Sequence, residues 1–68
     1  MSITRSTEVK SSSPISIDDA MKKGIARAKK TLKNVKSAWI WNQEIMLDDK
    51  GKISEYRVQM KITFILEE

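Results

Sequence analysis

The segment that most limits the possible folds is 53–66. Tyr56, Val58, Met60, Ile62, Phe64 and Leu66 alternate there with Glu55, Arg57, Gln59, Lys61, Thr63 and Ile65. Apolar residues at period two specify a strand with one buried and one open face. Such a strand needs hydrogen-bonded partners and an apolar cover over its buried side. The rest of the chain has to supply both.

One stretch fits the cover. Ile17, Ala20, Met21, Gly24, Ile25, Ala28, Leu32 and Val35 recur at steps of three or four. That spacing predicts an amphipathic helix of about 18 residues, ending near Asn34. Ser16 is the expected N-cap, and Asp19 takes the third helical position of a capping box. Asp18 and Asp19 face the positive end of the helix dipole. Ile15, just before the cap, is positioned to staple onto Ala20. Gly24 and Ala28 are four apart on the buried stripe, so a neighbour can pack close to the backbone there. Lys22, Lys23, Arg27, Lys29, Lys30 and Lys33 give the outer face a strong basic character.

The β-branched and aromatic residues of 38–47 predict a second strand. Asp48-Asp49-Lys50-Gly51 reads as the turn after it, with Gly51 free to take positive φ. Residues 3–10 read as a first strand, although the alternation is poor. Ser11-Ser12-Ser13-Pro14 reads as a loop. The predicted fold class is α+β in the order β-α-β-β. One amphipathic helix packs on a three-stranded antiparallel sheet, in a single domain over 1–68.

A single helix covers one face of such a sheet. The second strand nevertheless carries apolar residues on both faces. In a regular strand Ala38 and Ile40 share one face, and Trp39, Trp41, Gln43, Ile45 and Leu47 share the other. Either the helix leaves the second set uncovered, or a bulge switches the faces partway. The register is open as well, placing Trp41 beside Arg57 or beside Val58. The first arrangement is preferred, with Trp39, Trp41, Arg57 and Gln59 on the face away from the helix. An apolar face of that size on so small a chain marks an interface or a ligand site.

Composition narrows the chemistry. The chain has 68 residues and neither cysteine nor histidine. Disulfides, thiolate metal sites and Ser-His-Asp or Cys-His catalysis are therefore excluded within it. No paired carboxylates, phosphate-cradling glycine loop or nucleophile motif is present, so the chain reads as a non-enzyme with no catalytic residues. A core this small needs help, and partner subunits are the remaining source. No apolar run approaches the roughly 20 residues of a membrane span. Met1–Lys10 lacks a signal-peptide core, so the expected location is the cytoplasm. The basic helix face reads as a solvated surface. It carries no stacking aromatics to strengthen a nucleic-acid reading, so nucleic acid is not the expected partner. Asp48 and Asp49 are either plain turn residues or oxygen ligands for a calcium ion.

The order of motifs resembles the dodecin family over nearly the whole chain. The resemblance rests on Ser13-Pro14 before a capped helix, Asp19-Ala20 at its start, and Ala26-Arg27-Ala28-Lys29-Lys30-Thr31-Leu32 in its second half. It continues through Glu55-Tyr56-Arg57-Val58-Gln59-Met60-Lys61-Ile62-Thr63-Phe64 and Leu66-Glu67-Glu68. It implies a hollow homo-oligomer, a dodecamer of cubic symmetry. It also implies flavin (riboflavin or FMN) stacked between symmetry-related tryptophans of the second strand, for storage and quenching. Counted from Thr31-Leu32, the family's tryptophan position falls on Ser37, with Trp39 and Trp41 two and four residues beyond. The family's flavin-contacting glutamine falls on Arg57. The Arg-Gly pair that many flavin dodecins carry is missing around Glu44-Ile45. Ala38 to Gln43, Gly51-Lys52-Ile53 and Tyr56-Arg57 are similar instead to a flavin-free, calcium-associated branch. The expected ligand-contacting residues are Ser37, Trp39, Trp41, Arg57 and Gln59. The rival expectation is a flavin-free shell whose tryptophans are interface core.

Overall fold

The computed structural model describes residues 3–66. Strand β1 (Ile3–Ser13) leads into helix α1 (Ile17–Thr31), and strands β2 (Val35–Leu47) and β3 (Ile53–Leu66) follow. The sheet order is β1-β3-β2, with both pairings antiparallel. The β-α-β-β order, the single helix and the three-stranded antiparallel sheet are all as the sequence predicts. The strand with the clearest alternation lies in the middle, where both edges need partners.

Its even-numbered residues build the core. Val58, Met60 and Ile62 are buried, as are Ala20 and Ala28 of α1. Val9, Ile17, Met21, Ile25 and Ile40 pack around this cluster. Gly24 is also buried, and a Cβ there would meet the Met60 methyl at 2.5 Å and the Ser11 Cβ at 3.1 Å. The helix backbone therefore rests almost directly on the sheet, as the small residues in the buried stripe predict.

The β1 end of the sheet corrects the sequence expectation. Ser11, Ser12 and Ser13 belong to the strand, not to a loop, with Ser11 opposite Val58 and Ser13 opposite Tyr56. Their composition suggests a turn, but small side chains on this edge let α1 approach. The helix is also shorter than predicted. It ends at Thr31, is capped by Leu32, and gives way to Asn34 at φ 59. Val35 opens β2 rather than closing the helical stripe, so β2 starts three residues earlier than expected. Apolar spacing alone does not show where a helix stops.

At its start the helix is tied to β1. The Asp19 amide donates to Ser16 Oγ at 2.9 Å, the expected cap. The Asp19 carboxylate does not return to the Ser16 amide as in a full capping box. It accepts instead from the Ser13 hydroxyl, which in turn accepts from the Ile15 amide. Ser13 is buried. Ile15 is 68% exposed, so the expected staple onto Ala20 is absent. Fixing the chain entry through Ser13 makes that staple unnecessary.

α1 lies over β1 and β3 and barely meets β2. No residue of β2 is fully buried. The chain is accordingly extended, at 53 × 19 × 13 Å, with a radius of gyration of 14.1 Å. A compact chain of this length has a radius of roughly 11 Å. Its accessible surface is 5248 Å², against about 4,400 Å² for a typical monomer of this mass.

Two predictions follow from this packing. Gly24→Ala gains at most about 1 kcal/mol of helix propensity. It pays about 1–3 kcal/mol for overpacking against Met60 and Ser11. Urea unfolding at fixed chain concentration is expected to show a net loss of about 1 kcal/mol; a gain would mean that Met60 yields freely. The second concerns Asp19. The Ser13 hydroxyl first, and Lys23 second, hold its carboxyl below the ordinary value of 3.8. Its contribution is thus complete above about pH 4 and is lost as pH falls through the lowered value. Asp19→Asn is expected to destabilise the fold at pH 7, with the gap to the parent closing towards pH 3. A gap independent of pH would contradict the assignment.

Candidate ligand-binding face

The sheet face away from α1 is organised in rows across the strands. Odd-numbered β3 residues point to it, since their even neighbours are buried under the helix. The register sets Glu8, Lys61 and Trp39 in one row, Lys10, Gln59 and Asn42 in the next, and Ser12, Arg57 and Glu44 in the third. Ser37 lies opposite Thr63, one step beyond Trp39.

A bulge, one of the two alternatives left open for β2, is present, and it sets the faces of residues 42–46. The register shifts between Ile40 and Asn42, leaving Trp41 as the extra residue of the ladder. Before the shift, Ala38 and Ile40 face the helix and Trp39 faces away. After it, Gln43 is paired with Val58 and Ile45 with Tyr56, on the helix side of the sheet. The expectation that Gln43 and Ile45 share a face with Trp39 is therefore corrected. Trp41 stands beside neither Arg57 nor Val58, because the bulge absorbs it between the Met60 and Gln59 pairings. Trp39, Arg57 and Gln59 do share the uncovered face.

The side chains there make few contacts with one another. Trp39 is 63% exposed and Trp41 43%. The Lys61 ammonium lies 5.7 Å from the centre of the Trp39 ring, within reach of a cation–π attraction. The Asn42 amide donates to Gln59 Oε1 at 2.7 Å. Arg57 donates from Nε to Glu55 Oε1 at 2.6 Å, closing an ion pair within its own strand. An open groove of about 520 Å³ runs over the second and third rows, between Lys10, Ser12, Asn42, Glu44, Arg57 and Gln59. That volume lies in the range of small-ligand sites. Trp39 stands one row outside it.

Chemically, the face offers an exposed indole, three cations and a pair of amides. Sequence reasoning missed Asn42, Lys10, Ser12 and Lys61. Asn42 was hidden because the bulge reverses its face, and Lys10 and Ser12 because β1 alternates poorly. Lys61 was readable from the period-two pattern of β3.

Of the two hairpin acids, Asp48 has a structural task. Asp48 Oδ1 accepts from the Lys50 and Lys52 amides, both at 2.9 Å. Gly51 takes φ 79, as the turn reading requires. Among the described residues, no group of three or more carboxylates comes together as a metal cage. No helix there is long and apolar enough to cross a membrane.

A three-stranded sheet with one helix lying over two of its strands, and a third strand that the helix barely touches, defines the class of this chain. The family comparison places it: the Dodecin model matches residues 3–67, and the chain belongs to that family. Solved structures agree. A dodecin from Streptomyces davaonensis is 34% identical with a TM-score of 0.91, covering 98% of this chain and 97% of that one. A dodecin from Streptomyces coelicolor is 30% identical with a TM-score of 0.91, covering 98% and 94%. A calcium dodecin from Mycobacterium tuberculosis, described as having a novel calcium-binding site, shares the fold at 23% identity and a TM-score of 0.81, covering 96% and 91%. No curated protein matches the chain.

Proposed function

We propose that the protein is a non-catalytic, cytoplasmic flavin-storage protein, working as a homododecamer whose ligand stacks on Trp39. The observation that carries this reading is the exposed Trp39 indole on the uncovered sheet face. An aromatic ring left open beside polar groups is suited to a planar ligand, with area burial as the driving force. Lys61, Gln59 and Arg57 supply charge and hydrogen-bonding groups on the same face. The residues present therefore fit a flavin ring. Trp39 offers the stacking surface, Gln59 and Arg57 offer polar contacts, and Ser37 lies one step from Trp39 along the strand. Bound flavin supplies a photoexcitable ring, whose excited state a stacked indole can quench by electron transfer. Trp41, in the bulge, is the second stacking candidate.

A second reading has its own support. Trp41, Ile45 and Leu47 are all exposed on β2, which the helix barely touches. In a flavin-free shell these side chains and the tryptophans would be interface core, with a bound cation such as calcium at another site.

A fluorescence titration separates the two. Riboflavin and FMN added to purified protein should be strongly quenched, saturating near one flavin per chain. Trp39→Ala should weaken binding at least about tenfold, the equivalent of ~1.4 kcal/mol, and leave the assembly intact. No quenching by the parent protein, or equal binding by Trp39→Ala, would contradict stacking on Trp39. Loss of assembly in Trp39→Ala would favour the interface reading.

A further inference from the structure

The cations are distributed unevenly along the chain. No acidic residue occurs between Asp19 and Glu44, whereas Lys22, Lys23, Arg27, Lys29, Lys30, Lys33 and Lys36 all fall in that interval. The structure divides the helix cations into two groups. Near the N-terminus, Lys22 pairs with Asp18 at 3.0 Å and Lys23 with Asp19 at 3.2 Å. Farther along, Arg27, Lys29, Lys30 and Lys33 are exposed, and no ion pair reaches them among the described residues. Lys29 and Lys30 lie in the last turn, where the helix dipole favours positive charge. The dipole does not account for a whole uncompensated surface.

We propose that this second half of α1, with Lys33, is a binding surface for the phosphate backbone of double-stranded nucleic acid. The apolar residues of α1 are turned to the sheet, with Ala20, Gly24 and Ala28 buried and Ile17, Met21 and Ile25 packed on the core. The outer half therefore has no large apolar side chain to insert into a bilayer, which an interfacial helix requires. It also has no aromatic residue on which unpaired bases could stack, the usual means of holding single strands. Exposed cations that no described carboxylate pairs, on a helix face without apolar anchors or stacking rings, suit a regular array of phosphates read without sequence preference. This surface lies on the opposite side of the sheet from Trp39, so the inference is independent of the flavin reading. Self-assembly would repeat it on every subunit and raise its effective strength on a long polyanion.

The test uses the full chain, as it assembles, with a fluorescent 30-base-pair DNA duplex followed by anisotropy. Binding is expected at 50 mM salt, with log K falling against log salt at a slope of at least about −3. The triple variant Lys29→Gln, Lys30→Gln, Lys33→Gln should bind at least tenfold more weakly with a shallower slope. The hairpin variant Lys50→Gln, Lys52→Gln should bind like the parent. No binding at 50 mM salt would overturn the proposal. So would equal losses in both variants, or a preference for single-stranded DNA or for anionic phosphatidylserine vesicles. Circular dichroism and assembly mass, unchanged in the triple variant, separate lost binding from lost folding.

Discussion

A 15-residue helix cannot cover a three-stranded sheet whose strands run to 14 residues. That mismatch decides which strands are covered and which are left open. α1 spends its apolar stripe on β1 and β3, and the close approach at Gly24 and Ser11 makes this packing tight. β2 receives almost none of the cover. It is held by its ladder to β3, while Trp39, Trp41, Ile45 and Leu47 remain in water. Each large apolar side chain taken out of water is worth about 1.5–3 kcal/mol. The uncovered strand is therefore a substantial reserve of association energy in a chain whose own core rests on a few side chains.

The same mismatch separates two surfaces of different character. The helix side ends outward in exposed cations. The opposite side is a pleated field where an indole, cations, carboxylates and amides alternate in rows. The two sides need not compete, because the sheet lies between them. Membership of the dodecin family accords with both the shortage of core and the unfinished third strand.

Much of the fold was legible because it rests on strict periodicities. The alternation from Tyr56 to Leu66 identified the central strand and its buried face. The stripe from Ile17 to Ala28 identified the helix, and Ser16 its start. Three features were not legible for physical reasons. Serines 11–13 have turn composition, but their place in the sheet is chosen by the approach of α1, a tertiary effect. Leu32 and Val35 keep helical spacing by coincidence after the helix has stopped. The bulge at Trp41 has no clear signature in residue type, so its place was not readable, yet it decides the faces of residues 42–46. Of the candidate site, Trp39, Arg57 and Gln59 were placed on one face from sequence. Asn42, Lys10 and Ser12 emerged only once the register was known.

Further copies of the chain are expected to complete the uncovered strand and sheet face. Native mass spectrometry of the purified protein reads out that assembly. The account predicts one dominant closed assembly, near twelve times the 7.8 kDa chain mass. A folded monomer of 7.8 kDa that persists at micromolar concentration would contradict it, because the exposed residues of β2 would then need no partner.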